Sequence, residues 1–82
     1  MSDGEIIDLV KSALIKVRPE FAAGFESVDM NTRFESLRID SVDNLRMITF
    51  LEDRIGFVFQ DEDLSRIETV TDLAAIIRKP GR

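Results

Sequence analysis

Apolar residues recur along this chain at steps of three and four. Ile6, Leu9, Val10, Ala13, Leu14 and Val17 form one such stripe and predict an amphipathic helix over about residues 4–17. Ser2 or Asp3 stands at its start as a cap. Glu5 and Asp8 lie near the positive end of the helix dipole, with Lys11 and Lys16 near the negative end. Pro19 closes the helix, because the residue before a proline is pushed out of helical geometry. A second stripe, Leu45, Ile48, Leu51 and Ile55, predicts a helix over about residues 41–55 with those four side chains toward the core and Met47 at the edge of the arc. Asp43, Arg46, Asp53 and Arg54 then fall on the opposite side, with Phe50 among them, and Gly56 ends the helix. Asp61-Glu62-Asp63 opens a short third helix over about residues 61–66, which stops at Glu68-Thr69. Thr71 caps a fourth, with Asp72 in its first turn and Leu73, Ala74, Ile76 and Ile77 as its apolar positions. Pro80-Gly81-Arg82 is expected to be a frayed tail.

The connections are less regular. Residues 18–40 form a long first loop, and a loop of that length in a small domain is usually functional or locally structured. Phe21, Phe25, Val28, Met30, Phe34, Leu37 and Ile39 are spread along it, so it should pack across the helices, with a short helical turn over residues 32–37. Gly24 weakens the case for a second turn around Phe21 and Phe25. Phe57-Val58-Phe59 has no partner strand pattern and reads as an extended connector that inserts aromatics into the core. The expected fold is all-α: one domain over residues 1–82, a small antiparallel four-helix bundle with three longer helices and one short.

Composition narrows the chemistry. Eighty-two residues support one small core. With no Cys and no His, a disulfide framework, a Cys/His zinc site, a Cys nucleophile and a Ser-His pair are excluded. A formal charge of −5, from 16 acidic against 11 basic residues, argues against binding a nucleic-acid backbone. No apolar run approaches the ~18 residues of a membrane span, and the acidic start Met1-Ser2-Asp3-Gly4-Glu5 does not resemble a signal peptide. A soluble, monomeric, cytoplasmic protein is the expectation.

The most informative stretch is Asp40-Ser41-Val42-Asp43, at the start of the second helix. Asp40 suits the N-cap, Asp43 lies in the first turn, and Ser41 is held outward with its hydroxyl reachable from solvent. By itself such a pattern is an ordinary helix start. A lone serine has no base to activate it, so an enzyme is the weakest reading. Paired acids at this spacing more often satisfy backbone and dipole than hold a metal, and no metal site is expected.

In its surroundings, with Phe34 and Leu37 before the motif and Leu51-Glu52, Asp61-Glu62-Asp63, Ile67, Thr69-Val70, Leu73 and Ile76 after it, the stretch resembles the acyl carrier proteins. The resemblance covers nearly the whole chain, less closely over residues 17–33. Val42 replaces the usual leucine of that family's motif, and Arg38 stands where a glycine is common. The resemblance implies that Ser41 bears 4'-phosphopantetheine, transferred from coenzyme A by a holo-carrier-protein synthase. Asp40 and Asp43 flank the site. The arm, roughly 20 Å long, ends in a thiol that carries acyl groups as thioesters. The partners implied are fatty-acid, lipid or polyketide-type enzymes: acyl-transfer enzymes, synthases or ligases. The resemblance places partner contacts at Asp40, Asp43, Arg46, Phe50, Glu52 and Asp53.

Arg46 and Arg54 depart from the family's acidic helix. Either they favour acidic features on a partner, which suits a specialised rather than a housekeeping carrier, or they pair locally with Asp43, Asn44 or acids near Asp53 on a solvated face. Phe50 is open in the same way, between folding onto the long loop and meeting a partner. Leu45, Ile48, Phe59, Ile67 and Ile76 are the residues suggested for any acyl space between the helices. Two alternatives stand beside the acyl carrier: an aminoacyl or peptidyl carrier, and an unmodified helical interaction module.

Overall fold

The structure is a computed structural model, and it describes residues 1–79, without the side chain of Phe21. The expected tail at residues 80–82 lies outside the described residues. Helix α1 spans Asp3–Val17, α2 Ser41–Ile55, α3 Asp61–Leu64 and α4 Val70–Ile77. Two 3-10 helices, Pro19–Phe25 and Phe34–Leu37, divide the long first connection. Among the described residues the only strand-like pairing is a single antiparallel bridge between Arg33 and Thr69. The all-α bundle is therefore as the periodicity implies. No described helix is long and apolar enough to cross a membrane.

Helix α1 is the hub. Ser2 caps it, accepting from the Glu5 N–H at 3.2 Å, while Glu5 accepts from the Ser2 N–H at 2.8 Å. This reciprocal box satisfies two donors that the helix start would otherwise leave open. The bond from the Ser2 N–H, then that from its hydroxyl, holds the Glu5 carboxyl below its ordinary range. Ile6, Leu9, Val10, Ala13 and Leu14 are all buried, packed against α2, α4 and the first 3-10 helix. The first 3-10 helix forms despite Gly24, because Pro19 sits at its first position, where a missing N–H costs nothing, and Phe25 is anchored in the core.

The long connection is stitched to the far end of the chain. Phe34 N–H donates to the Glu68 carbonyl at 2.9 Å, Val70 N–H to Thr32 at 3.1 Å, and Thr71 N–H to Met30 at 2.9 Å. This stitching corrects the fourth helix. Its cap is Thr69, which forms a capping box with Asp72, whereas the Thr71 hydroxyl donates to the Met30 carbonyl at 2.7 Å. Thr69 is left free to cap because the Arg33–Thr69 bridge holds its backbone extended. N–H groups of Glu68 and then Thr69 hold the Asp72 carboxyl below its usual range. Helix α3 is a single turn, shorter than expected, because the chain is drawn off at Ile67 and Glu68 to meet residues 32–34.

In the 57–59 connector, Phe59 is buried, Val58 faces solvent and Phe57 packs edge-on to Phe59 with centroids 6.0 Å apart. The core thus draws on α1, Phe25, Val28, Met47, Leu51, Phe59 and α4.

Candidate functional site

Helix α2 begins where expected, and the reason is local. Asp40 is extended and accepts from the Asp43 N–H at 2.8 Å, which closes the first turn. Ser41 is the first helical residue and is exposed. Its hydroxyl bonds to no other described residue, and the N–H groups of Ser41 and Val42 have no acceptor among the described residues. At the other end Gly56 adopts the left-handed conformation, φ 85°, and its N–H closes on the Glu52 carbonyl at 2.9 Å.

The approach to Ser41 is strained. Arg38 has φ 57° and ψ 34°, the one positive φ outside glycine among the described residues. Left-handed backbone costs an ordinary residue about 1–2 kcal/mol. The structure therefore gives a physical reason for the place where a glycine would be expected: the chain must turn left-handed here to end the second 3-10 helix and set up Asp40. Arg38 makes that turn and is itself exposed.

The face that α2 buries is rotated from the one its periodicity predicts. Met47 and Leu51 are buried, Ile48 and Ile55 are half-buried, and Leu45 is 65% exposed. Asp43, expected on the outer side, is buried at 6% exposure. The cause is Arg18, at the end of α1, whose guanidinium Nη1 donates to Asp43 Oδ2 at 2.7 Å. A buried carboxylate needs such a partner, and the bond raises the guanidinium pKa above its ordinary value. The expected placement of Asp43 on the outer side is corrected accordingly, and its carboxylate is committed within the chain. Nothing local in the sequence pairs residues 25 positions apart; a cation just ahead of Pro19 is the only signal.

The remaining sequence-predicted residues divide. Asp40, Arg46 and Asp53 are exposed along α2. The Glu52 carboxylate accepts from the Phe59 N–H at 2.8 Å, so it anchors the 57–59 connector. Phe50 is half-buried against the core and carries Arg54 over its ring, 4.9 Å from the centroid. Local pairing of Arg46 is also corrected. Asp43 is taken by Arg18, and Arg46 has no ion pair among the described residues.

Behind α2 lies a cavity of about 90 Å³, lined by Phe34, Leu45, Ile48, Leu51, Ile67 and Leu73 among others. Leu45, Ile48 and Ile67 line it as suggested, whereas Phe59 and Ile76 are packed into the core instead.

This geometry presents a serine hydroxyl to solvent at a helix start, in a chain without histidine, with a small apolar cavity behind the same helix. An acyl carrier protein of Lactobacillus acidophilus is 32% identical to the chain over 79 residues, which cover 95% of each protein. An acyl carrier protein homolog of Ureaplasma parvum serovar 3 is 31% identical over 64 residues, 78% of this chain and 83% of that protein. No protein-family model matches.

Proposed function

This chain belongs to the acyl carrier protein family, and we propose that it carries acyl groups on a 4'-phosphopantetheine arm attached through Ser41. The observation that carries this reading is the Ser41 hydroxyl, exposed at the first residue of α2 with no competing hydrogen bond among the described residues. The arm, when bound, supplies the thiol that a chain without cysteine lacks, and so holds acyl groups as thioesters.

The chain's own residues prepare the attachment point. Asp40 fixes the start of α2, so the Ser41 oxygen is presented from a rigid element. The Ser41 and Val42 N–H groups and the positive end of the helix dipole favour a phosphodiester at that oxygen. Arg18 neutralises the Asp43 carboxylate, which removes a like charge from its vicinity. Arg38, three residues before Ser41 in the chain, is an exposed cation. The partners are a phosphopantetheinyl transferase and the enzymes that load and use the acyl group, in the cytoplasm. They meet the chain through Asp40, Arg46, Phe50 and Asp53. The free Arg46 supports a specialised enzyme set.

The test is intact mass after incubation with coenzyme A and a broad-specificity phosphopantetheinyl transferase. The native chain should gain one arm and Ser41→Ala none. A folded native chain that gains nothing would move the unmodified interaction module ahead of the carrier.

A further inference from the structure

We propose that the groove between the two 3-10 helices of the first connection is a resting site for the 4'-phosphopantetheine arm, an inference that rests on the carrier reading of Ser41. The groove encloses about 400 Å³ and is lined by Ala23, Gly24 and Phe25 from the first 3-10 helix and by Ser36, Leu37 and Arg38 at the second. That volume falls within the roughly 300–1,000 Å³ of small-molecule sites. The cavity behind α2, at about 90 Å³, is too small for the arm. Two connections place the groove beside the start of α2. Arg38, on one wall, is three residues before Ser41, a span of at most about 11 Å. Glu20, on the other wall, has Oε2 3.8 Å from Arg18 Nε, and Nη1 of the same guanidinium is 2.7 Å from Asp43 Oδ2 in the first turn of α2. An arm of roughly 20 Å therefore spans the groove from Ser41.

Direction separates this groove from the one between α1 and α2, which is lined by Leu45, Arg46 and Phe50 among others. Side chains of an α-helix tilt toward its N-terminus. Ser41, the first residue of α2, therefore leads toward residues 37–40 and away from Leu45. The lining also suits the arm's chemistry. The arm begins at a phosphodiester anion and alternates amides with short apolar pieces, a geminal dimethyl group among them. Arg38 is exposed, and its guanidinium has no ion pair among the described residues, so a cation stands free on the wall nearest the anion in sequence. Ala23 and Leu37 offer apolar surface over the buried Phe25. The Ser36 hydroxyl donates to the Arg33 carbonyl at 2.6 Å, which leaves its oxygen to accept from an amide N–H. Gly24 keeps the space clear: a Cβ there would meet no atom within 4 Å.

The test compares the full-length chain before and after the arm is attached, with ¹³C and ¹⁵N in the protein and none in the arm. Intact mass first establishes attachment. Amide shifts should then change at Ala23, Gly24, Phe25 and Leu37 as well as around Ser41, and isotope-filtered nuclear Overhauser spectra should connect the arm's methyl protons to Ala23 and Leu37. Gly24→Leu, at a position without positive φ and with open space for the new side chain, should keep its circular dichroism, gain the arm as the native chain does, and lose those cross-peaks. Shifts confined to residues 40–44 would overturn the proposal, because the arm would then extend into solvent. So would cross-peaks to Leu45 and Phe50 in place of Ala23 and Leu37, or cross-peaks that survive Gly24→Leu unchanged. A chain that gains no mass overturns the carrier reading and this one together, whereas a loaded chain without the cross-peaks overturns this one alone.

Discussion

Helices α1 and α2 are both fifteen residues long, and they bury different kinds of face. Helix α1 sinks five apolar side chains and is packed against α2, α4 and the first 3-10 helix. Helix α2 buries Met47, Leu51 and a carboxylate, and leaves Leu45 in solvent. A helix surrounded by neighbours buries whatever stripe it carries. A helix packed most extensively against α1, with a small cavity on its other side, can turn to suit a single strong contact. Here that contact is Arg18 with Asp43, at the end of α2 that bears Ser41. The orientation that buries Asp43 in the ion pair is also the one that leaves Leu45 in solvent.

The sharpest way to break this comparison is to truncate one leucine on each helix. Leu14→Ala, at a fully buried site, should cost about 3 kcal/mol, whereas Leu45→Ala should stay within about 0.5 kcal/mol. Urea denaturation of the two variants reads the difference directly. Similar losses from both would mean that Leu45 spends its time inside.

A smaller effect is expected from Asp43→Asn. It should lower the urea midpoint more than Leu45→Ala and less than Leu14→Ala, since a part-buried guanidinium contact is weakened while the packing stays. Adding Arg18→Ala should then cost little more, because the two residues share one interaction. Additive losses would show that the pair does not set the rotation of α2.

The smallest effect concerns how the two helices are entered. Helix α1 starts through an unstrained capping box, whereas α2 is approached through the left-handed Arg38. Arg38→Gly should therefore raise stability by about 0.5–1 kcal/mol, the relief of strain less the extra freedom of glycine in the unfolded chain. Thermal unfolding followed by circular dichroism would detect it. A loss would mean that the Arg38 side chain contributes more than its backbone costs.

The sequence by itself determined the elements whose signals are local. Three-and-four spacing defined α1, Asp40 and Gly56 bounded α2, and Phe57-Val58-Phe59 alternated in and out without forming a strand. These depend on neighbours within a turn or two, so they can be read in order along the chain. The exposed Ser41 was legible for the same reason, since a cap and a first helical residue fix where a side chain starts. Tertiary structure decided the rest. Thr69 rather than Thr71 caps α4 because residues 30–34 return to pair with it. The burial of Asp43 on the inner face of α2 goes with Arg18 reaching it, 25 residues away. No local periodicity encodes such a contact: burial of a carboxylate depends on which cation the fold brings to it.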